Sequence, residues 1–329
     1  MDDRICRPCN NTRLGILDEQ VTRCGPEAFF RRLYGVVGRS EHNEVNPFYR
    51  PSAGGARLEM RAYDAQLGCE ILIECDNGAY RQQTQIVFIE PSGRTRHLPI
   101  RPNDSPERLR GAFNLLQIPP PFEARILYGP EDVEWVERLI ADTWPAATFE
   151  GSSLTDSDYR GATVNVGLTD RYFRGVAKIG FHYFLTQFSQ YAGHELCFSD
   201  IRKYIFEDGT PVDTANDFVG IRQNPLLGNM LNPNVRPDGW RGHLLCAEIR
   251  PSECLTHLQL FLSEDWQAPV YTVRLAHGSA ISECSTSGHI YYYYPDGPRG
   301  RFSGEVIALD VSRTDTPPPP VSPVIRNRN

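Results

Sequence analysis

The sequence predicts an α+β protein of more than one domain, on three observations. At 329 residues the chain exceeds the usual size of a single domain. Two blocks, within residues 56–90 and 244–310, consist of short alternating apolar and polar runs bounded by Gly, Pro, Asn and Asp, the pattern of antiparallel strands and turns. Between them, Arg171–Ala192 repeats large apolar residues at three- and four-residue intervals, the spacing of a helix that faces a core.

In chain order, Leu14, Leu17 and Val21 carry helical spacing and suggest a first helix from near Asn10. Pro26 is placed as the first residue of a second helix, with Phe29, Phe30, Leu33, Tyr34 and Val37 inward and Gly38 as its stop. Residues 39–54 read as a loop. Ala56–Tyr63, Cys69–Cys75 and Gln83–Glu90 form a predicted antiparallel meander, with turns at Asp76-Asn77-Gly78 and Pro91-Ser92-Gly93. Cys69 and Cys75 share one strand, roughly 20 Å apart when extended, too far for one metal ion. They are expected as buried small hydrophobes. Asn103–Leu116 reads as a helix capped by Ser105 with Pro106 in its first turn. After Pro119-Pro120-Pro121, a strand at Glu123–Tyr128 and a helix at Pro130–Asp142, with Val133, Val136, Leu139 and Ile140 inward, complete an α+β domain spanning 55–150.

The long helix opens at Thr169 or Asp170 and is expected to stop at Gly193, burying Phe173, Val176, Ala177, Gly180, Phe184, Phe188 and Tyr191. A short helix opens at Ser199 or Asp200 and ends at Gly209. The irregular segment Thr210–Gly242 follows, and loops of that length are usually functional or mobile. Strands at Leu244–Ile249, Leu255–Leu262, Val270–Ala276, His289–Tyr294 and Glu305–Asp310 are expected to form an antiparallel sheet packed on the long helix, giving a domain at 151–312. Residues 313–329, with Pro317-Pro318-Pro319-Pro320, read as a disordered tail.

Nine cysteines, an odd count without a short-loop framework, point to reduced thiols and a cytoplasmic setting. No apolar run approaches membrane-spanning length, so no membrane partner is expected. A formal net charge of −7 disfavours a protein that coats DNA generally, since such affinity rests on many phosphate-neutralising contacts. Lys178 and Lys203 are the only lysines, so almost every cation is an arginine, suited to bidentate phosphate contacts or simply a compositional bias.

The stretch with most chemistry is Cys6-Arg-Pro-Cys9-Asn10-Asn11. Two thiols separated by two residues can chelate one tetrahedral metal from the same side, as half of a zinc knuckle. A thioredoxin-like redox pair is an alternative, but it needs a preceding strand, for which there is no room ahead of Cys6. A terminus whose thiols bind nothing is the other.

Together with Leu14-Gly15 and Asp18, the motif resembles the second half of an HNH nuclease domain, a ββα-metal fold. The resemblance covers about the first twenty residues. It implies that Cys6 and Cys9 join an upstream Cys pair around a structural Zn²⁺. It also implies that a strand-borne His acts as general base, and that Asn10 helps to hold a catalytic Mg²⁺ or other divalent ion for hydrolysis of DNA phosphodiesters. Only five residues precede Cys6, leaving no place for the first pair, the first strand or the base. The expectation is therefore an HNH-type endonuclease family protein, N-terminally truncated and inactive as this chain, with a partial knuckle and helix at 1–40. The competing expectation is a non-enzymatic α+β binding module.

For nucleic-acid contacts the sequence offers Arg174, Lys178 and His182, at four-residue steps along the long helix. They read either as a phosphate-contacting ridge or as a solvent face whose stems cover a neighbouring element. Arg94, Arg96, His97, Arg101, Arg108 and Arg110 form a second basic group, again either a phosphate grip or a solvated face. Tyr291–Tyr294 could stack on unpaired bases, although alternate residues of a strand usually send one ring inward.

Overall fold

The structure, a computed structural model, describes residues 14–23, 25–33, 48, 58–76, 79–146, 150–153, 159–191, 195–207, 217–222, 241–263, 269–277, 285–296, 301–303 and 306–309. The protein is α+β, with antiparallel sheets and six α-helices among the described residues. The chain divides into two compact units: Arg57–Val166 with Val45–Arg50, and Gly167–Asn329 with Met1–Glu44 and Pro51–Ala56.

The unit of Arg57–Val166 holds two four-stranded sheets. In the first, β1 (Leu58–Asp64) lies between β2 (Cys69–Asp76) and β8 (Tyr159–Val166), with β3 (Ala79–Gln82) on the outer edge of β2, all antiparallel. In the second, β4 (Gln85–Ile89) lies between β5 (Thr95–Pro99) and β6 (Glu123–Tyr128), and β7 (Glu150–Ser153) runs parallel to β6. The sequence suggests one meander, but the chain changes sheet at Gln83-Thr84. The Gln85 side chain explains how: its Oε1 accepts from Leu72 N at 3.0 Å and its Nε2 donates to Leu72 O at 2.8 Å. A buried amide thus accepts from Leu72 N and shares Leu72 O with Gln83 N, so the second sheet can begin without leaving Leu72 N unpaired.

Helices α3 (Pro106–Leu116) and α4 (Val133–Thr143) cover the second sheet and bury Leu109, Val136 and Ile140 against Ile86, Phe88, Leu98, Ile100 and Ile126. Ser105 caps α3 as its sequence predicts, accepting from Arg108 N at 3.2 Å. Cys69 and Cys75 are buried. The expected domain end near residue 150 is too early, because β8 pairs with β1 from Leu58↔Val166 to Asp64↔Tyr159.

The other unit is organised around α5 (Asp170–Gln187), whose N-cap Thr169 accepts from Tyr172 N. It ends sooner than expected, at Phe188, and Gly193 lies outside the described residues. Against α5 pack α1 (Gly15–Arg23), α6 (Ser199–Phe206) and a seven-stranded antiparallel sheet. The sheet runs β14 (Arg301–Ser303), β13 (Ser285–Asp296), β10 (Arg241–Arg250), β11 (Glu253–Ser263), β12 (Val270–His277), β9 (Val219–Arg222), with β15 (Val306–Leu309) also on β13. Helix α2 (Pro26–Leu33) lies against α1 and β11. The expected long helix on an antiparallel sheet is present. Helices α1 and α2, from the segment expected as a partial knuckle and helix at 1–40, belong to the unit of α5.

Two glycines set how closely α5 is approached. A Cβ on Gly175 would sit 2.6 Å from Val21 Cγ2 and 2.7 Å from Leu17 O, and one on Gly180 would collide with Thr256 Oγ1 on β11. Covered by α1, α6 and the sheet, α5 buries residues around most of its circumference.

Candidate functional site

Cys6, Cys9 and Asn10 lie outside the described residues, as does His194. The first described element after the Cys pair is α1, and its predicted stripe Leu14, Leu17 and Val21 is buried. Among the described residues no group of three or more His, Cys, Asp and Glu could hold a metal ion.

Arg174 and Lys178 do not form an exposed ridge, and neither reading of them as surface groups holds. Both are buried, at 3% exposure each. The Arg174 guanidinium donates from Nε to Tyr204 O at 3.0 Å and from Nη2 to Ile205 O at 2.8 Å, capping the C-terminal carbonyls of α6 where a cation also meets the negative end of the helix. The Lys178 ammonium donates to Asp18 Oδ2 at 2.6 Å and to Leu14 O at 3.2 Å, fastening α1 to α5. His182, one turn on, is partly buried and is held down to about 4, by burial first and by Lys178 second, so the imidazole is neutral at pH 7. The correction has a plain cause: α5 is covered on several sides, so two of the three basic groups point at neighbouring elements and not at solvent.

The second basic group is also committed largely to the protein. Arg96 pairs with Glu90 at 3.3 Å, Arg108 pairs with Asp104, and Arg110 donates to the carbonyls of Thr143 and Asp142, each at 3.0 Å. His97 is buried, its Nδ1 3.2 Å from Gln85 Oε1. Tyr291, Tyr292 and Tyr293 stand on β13 opposite His243, Gly242 and Arg241.

Two polar clusters escape the sequence patterns. On the face of the sheet turned away from α5, His257 Nδ1 lies 3.0 Å from Thr272 Oγ1 and its Nε2 3.8 Å from Glu248 Oε2, which Arg250 Nη2 approaches to 2.6 Å. Burial pushes Glu248 up, but the hydrogen bond and charge of His257 and the Arg250 guanidinium outweigh it and hold the carboxyl down to about 2. This is a ladder of polar contacts across β10, β11 and β12 with the Glu248–Arg250 ion pair at its β10 end.

The other cluster joins α2, α5 and β12. The Tyr172 hydroxyl lies 2.9 Å from Glu27 Oε2, 3.0 Å from Glu27 Oε1 and 2.6 Å from the Tyr271 hydroxyl, which is itself 3.0 Å from Glu27 Oε1. All three side chains are buried. Burial raises Glu27 to about 7 against the lowering effect of its own amide and the two hydroxyls, and burial likewise drives both phenols well above their ordinary range. A Glu at the second position of a Pro-opened helix looks like an exposed N-terminal carboxylate. The signal that it is not is Phe29, Phe30 and Ala28 directly after it, all buried.

No helix among the described residues is long and apolar enough to cross a membrane. Family models, curated proteins and solved structures offer no match to this chain.

Proposed function

We propose that this chain carries the C-terminal edge of an HNH-type nuclease domain acting on DNA phosphodiesters, with Cys6 and Cys9 as structural zinc ligands and Asn10 beside the catalytic divalent ion. The donor set fits half of a tetrahedral zinc site, because two thiolates at two-residue spacing supply two of four ligands from one side. A divalent ion bound beside Asn10 would supply Lewis-acid stabilisation of the leaving phosphate oxygen. The general base and two further zinc ligands are not part of Cys6–Asn10.

The observation that supports the proposal is the seating of α1, the first described helix after the Cys pair. Its buried stripe, the Lys178–Asp18 pair and the close approach at Gly175 hold it on the largest helix of the unit. A metal knuckle needs such a base, since ligands fixed at one end lose less freedom on binding.

The test is the zinc content of the purified chain against a Cys6→Ser/Cys9→Ser variant. Zinc in the parent, lost in the variant, supports the reading; equal and negligible zinc in both removes it and favours the non-enzymatic binding module. Plasmid cleavage with Mg²⁺ that is abolished by Asn10→Ala supports the role given to Asn10.

A further inference from the structure

The buried triangle of Glu27, Tyr172 and Tyr271 has three oxygen-to-oxygen sides and only two hydroxyl protons. The side between the two phenols is the shortest, at 2.6 Å, and two oxygens that close need a proton between them. If one hydroxyl proton fills that side, a single hydroxyl remains for Glu27, and the other tyrosine-to-carboxyl contact at about 3 Å would set two lone pairs against each other. A third proton, on the carboxyl, lets each corner donate once and accept once around a closed ring.

The geometry points to a proton-dependent latch: Glu27 is held as the neutral acid, and its ionisation opens the ring and loosens α2 from α5 and β12. The three corners belong to three elements, so opening the ring releases α2 from both the helix and the strand beneath it. Among the described residues no cation faces the carboxyl to offset its charge. The groups that face it are Tyr172 from α5 and Tyr271 from β12. On α1, Asp18 is taken by Lys178 and Arg23 by Glu19; on α2, Arg31 donates to Thr22 O; on β11, Glu253 is taken by Arg250 and His257 lies on the far face. Cys254, on the helix side of β11, is pushed up to about 12 by burial and stays neutral.

The direction follows from linkage. A carboxyl that titrates near 7 when latched and near 4.5 when released binds its proton more tightly in the latched state, so latching is strongest below about pH 4.5 and weakens as pH rises through 7. Between pH 5.5 and 8.5 the opening equilibrium should rise roughly thirtyfold. The inference stands apart from the nuclease reading and uses none of its residues.

The experiment is hydrogen–deuterium exchange of the full chain at pH 5.5 and 8.5, corrected for intrinsic rates, read on peptides covering 26–33. The parent should lose protection there by about that factor, and Glu27→Gln, which keeps a neutral amide in the ring, should show almost none of the fall. Unchanged protection in the parent, or an equal fall in the variant, overturns the latch. Should the variant fail to fold, ¹³C-glutamate carboxyl titration of the parent decides. A midpoint near 7 supports the proposal, and midpoints all below about 5 refute it.

Discussion

The Lys178–Asp18 pair makes an asymmetric prediction, because its two halves sit in different surroundings. The Lys178 side chain is 4% exposed, whereas that of Asp18 is 47% exposed. In Lys178→Met the apolar stem is replaced in kind, Asp18 turns to water, and Leu14 O keeps its bonds from Leu17 N and Asp18 N. The loss is then one charged hydrogen-bond set with no charge stranded, about 1–2 kcal/mol. In Asp18→Ala the ammonium stays buried with only Leu14 O beside it. Removing one partner of a buried pair costs roughly 3–5 kcal/mol, and the water that reaches the vacated Asp18 position brings the expectation to about 3 kcal/mol. The smaller and more exposed substitution should therefore be the worse one. Urea unfolding with an unchanged slope measures both, and Glu19→Ala, which removes the exposed Glu19–Arg23 pair, is the control at about 0.5 kcal/mol or less. If Lys178→Met costs as much as Asp18→Ala, the ammonium is not dependent on Asp18 and α1 is held by its apolar stripe alone.

Other substitutions on α5 and its sheet carry equally definite expectations. Gly175→Ala gains up to about 1 kcal/mol of helix propensity but must push α1 away, so a net loss of about 1–2 kcal/mol is expected in thermal unfolding; a gain would mean that α1 moves freely on α5. Arg174→Lys keeps the charge but cannot reach Tyr204 O and Ile205 O with a planar fork, and should cost about 2 kcal/mol, with faster exchange at the end of α6 as its signature. Glu248 is a depressed carboxyl, so its contribution is present above about pH 4.5 and lost as pH falls toward 2, an amount of about 3 kcal/mol. Glu248→Gln should flatten acid unfolding of the parent below pH 4.5, and an unaltered acid limb would show that the ladder does not contribute.

Elements whose ends are written in capping and turn chemistry were legible in the sequence. Thr169 opens α5, Ser105 and Pro106 open α3, and Pro26 opens α2. Gly93 adopts φ +81° in the turn expected at Pro91-Ser92-Gly93. Long-range partnership was not legible. Nothing local announces that Gln85 will act as a strand for Leu72, that β8 will return to β1 across nearly a hundred residues, or that Glu27 and Tyr271 will meet.

The basic residues of α5 show why a charged helical row is a weak pointer to a nucleic-acid surface. At 100° per residue, the less buried positions between the helix ends, Arg171, Ile179, His182 and Thr186, fall within a strip roughly 80° wide, with Lys178 about 20° and Arg174 about 60° beyond one edge of it. A helix with so narrow an open strip has neighbours on both flanks, and a long cation at the margin reaches their ends first. Arg174 meets the carbonyls that close α6, and Lys178 meets the carbonyl and carboxylate at the start of α1. The discriminating feature was in the sequence after all: Tyr172, Phe173, Phe181, Tyr183, Phe184 and Leu185 place apolar groups far outside a single stripe. For such a helix the chemistry of a charged residue is decided by which backbone end it caps. That directs the search for a functional surface away from the buried cations of α5.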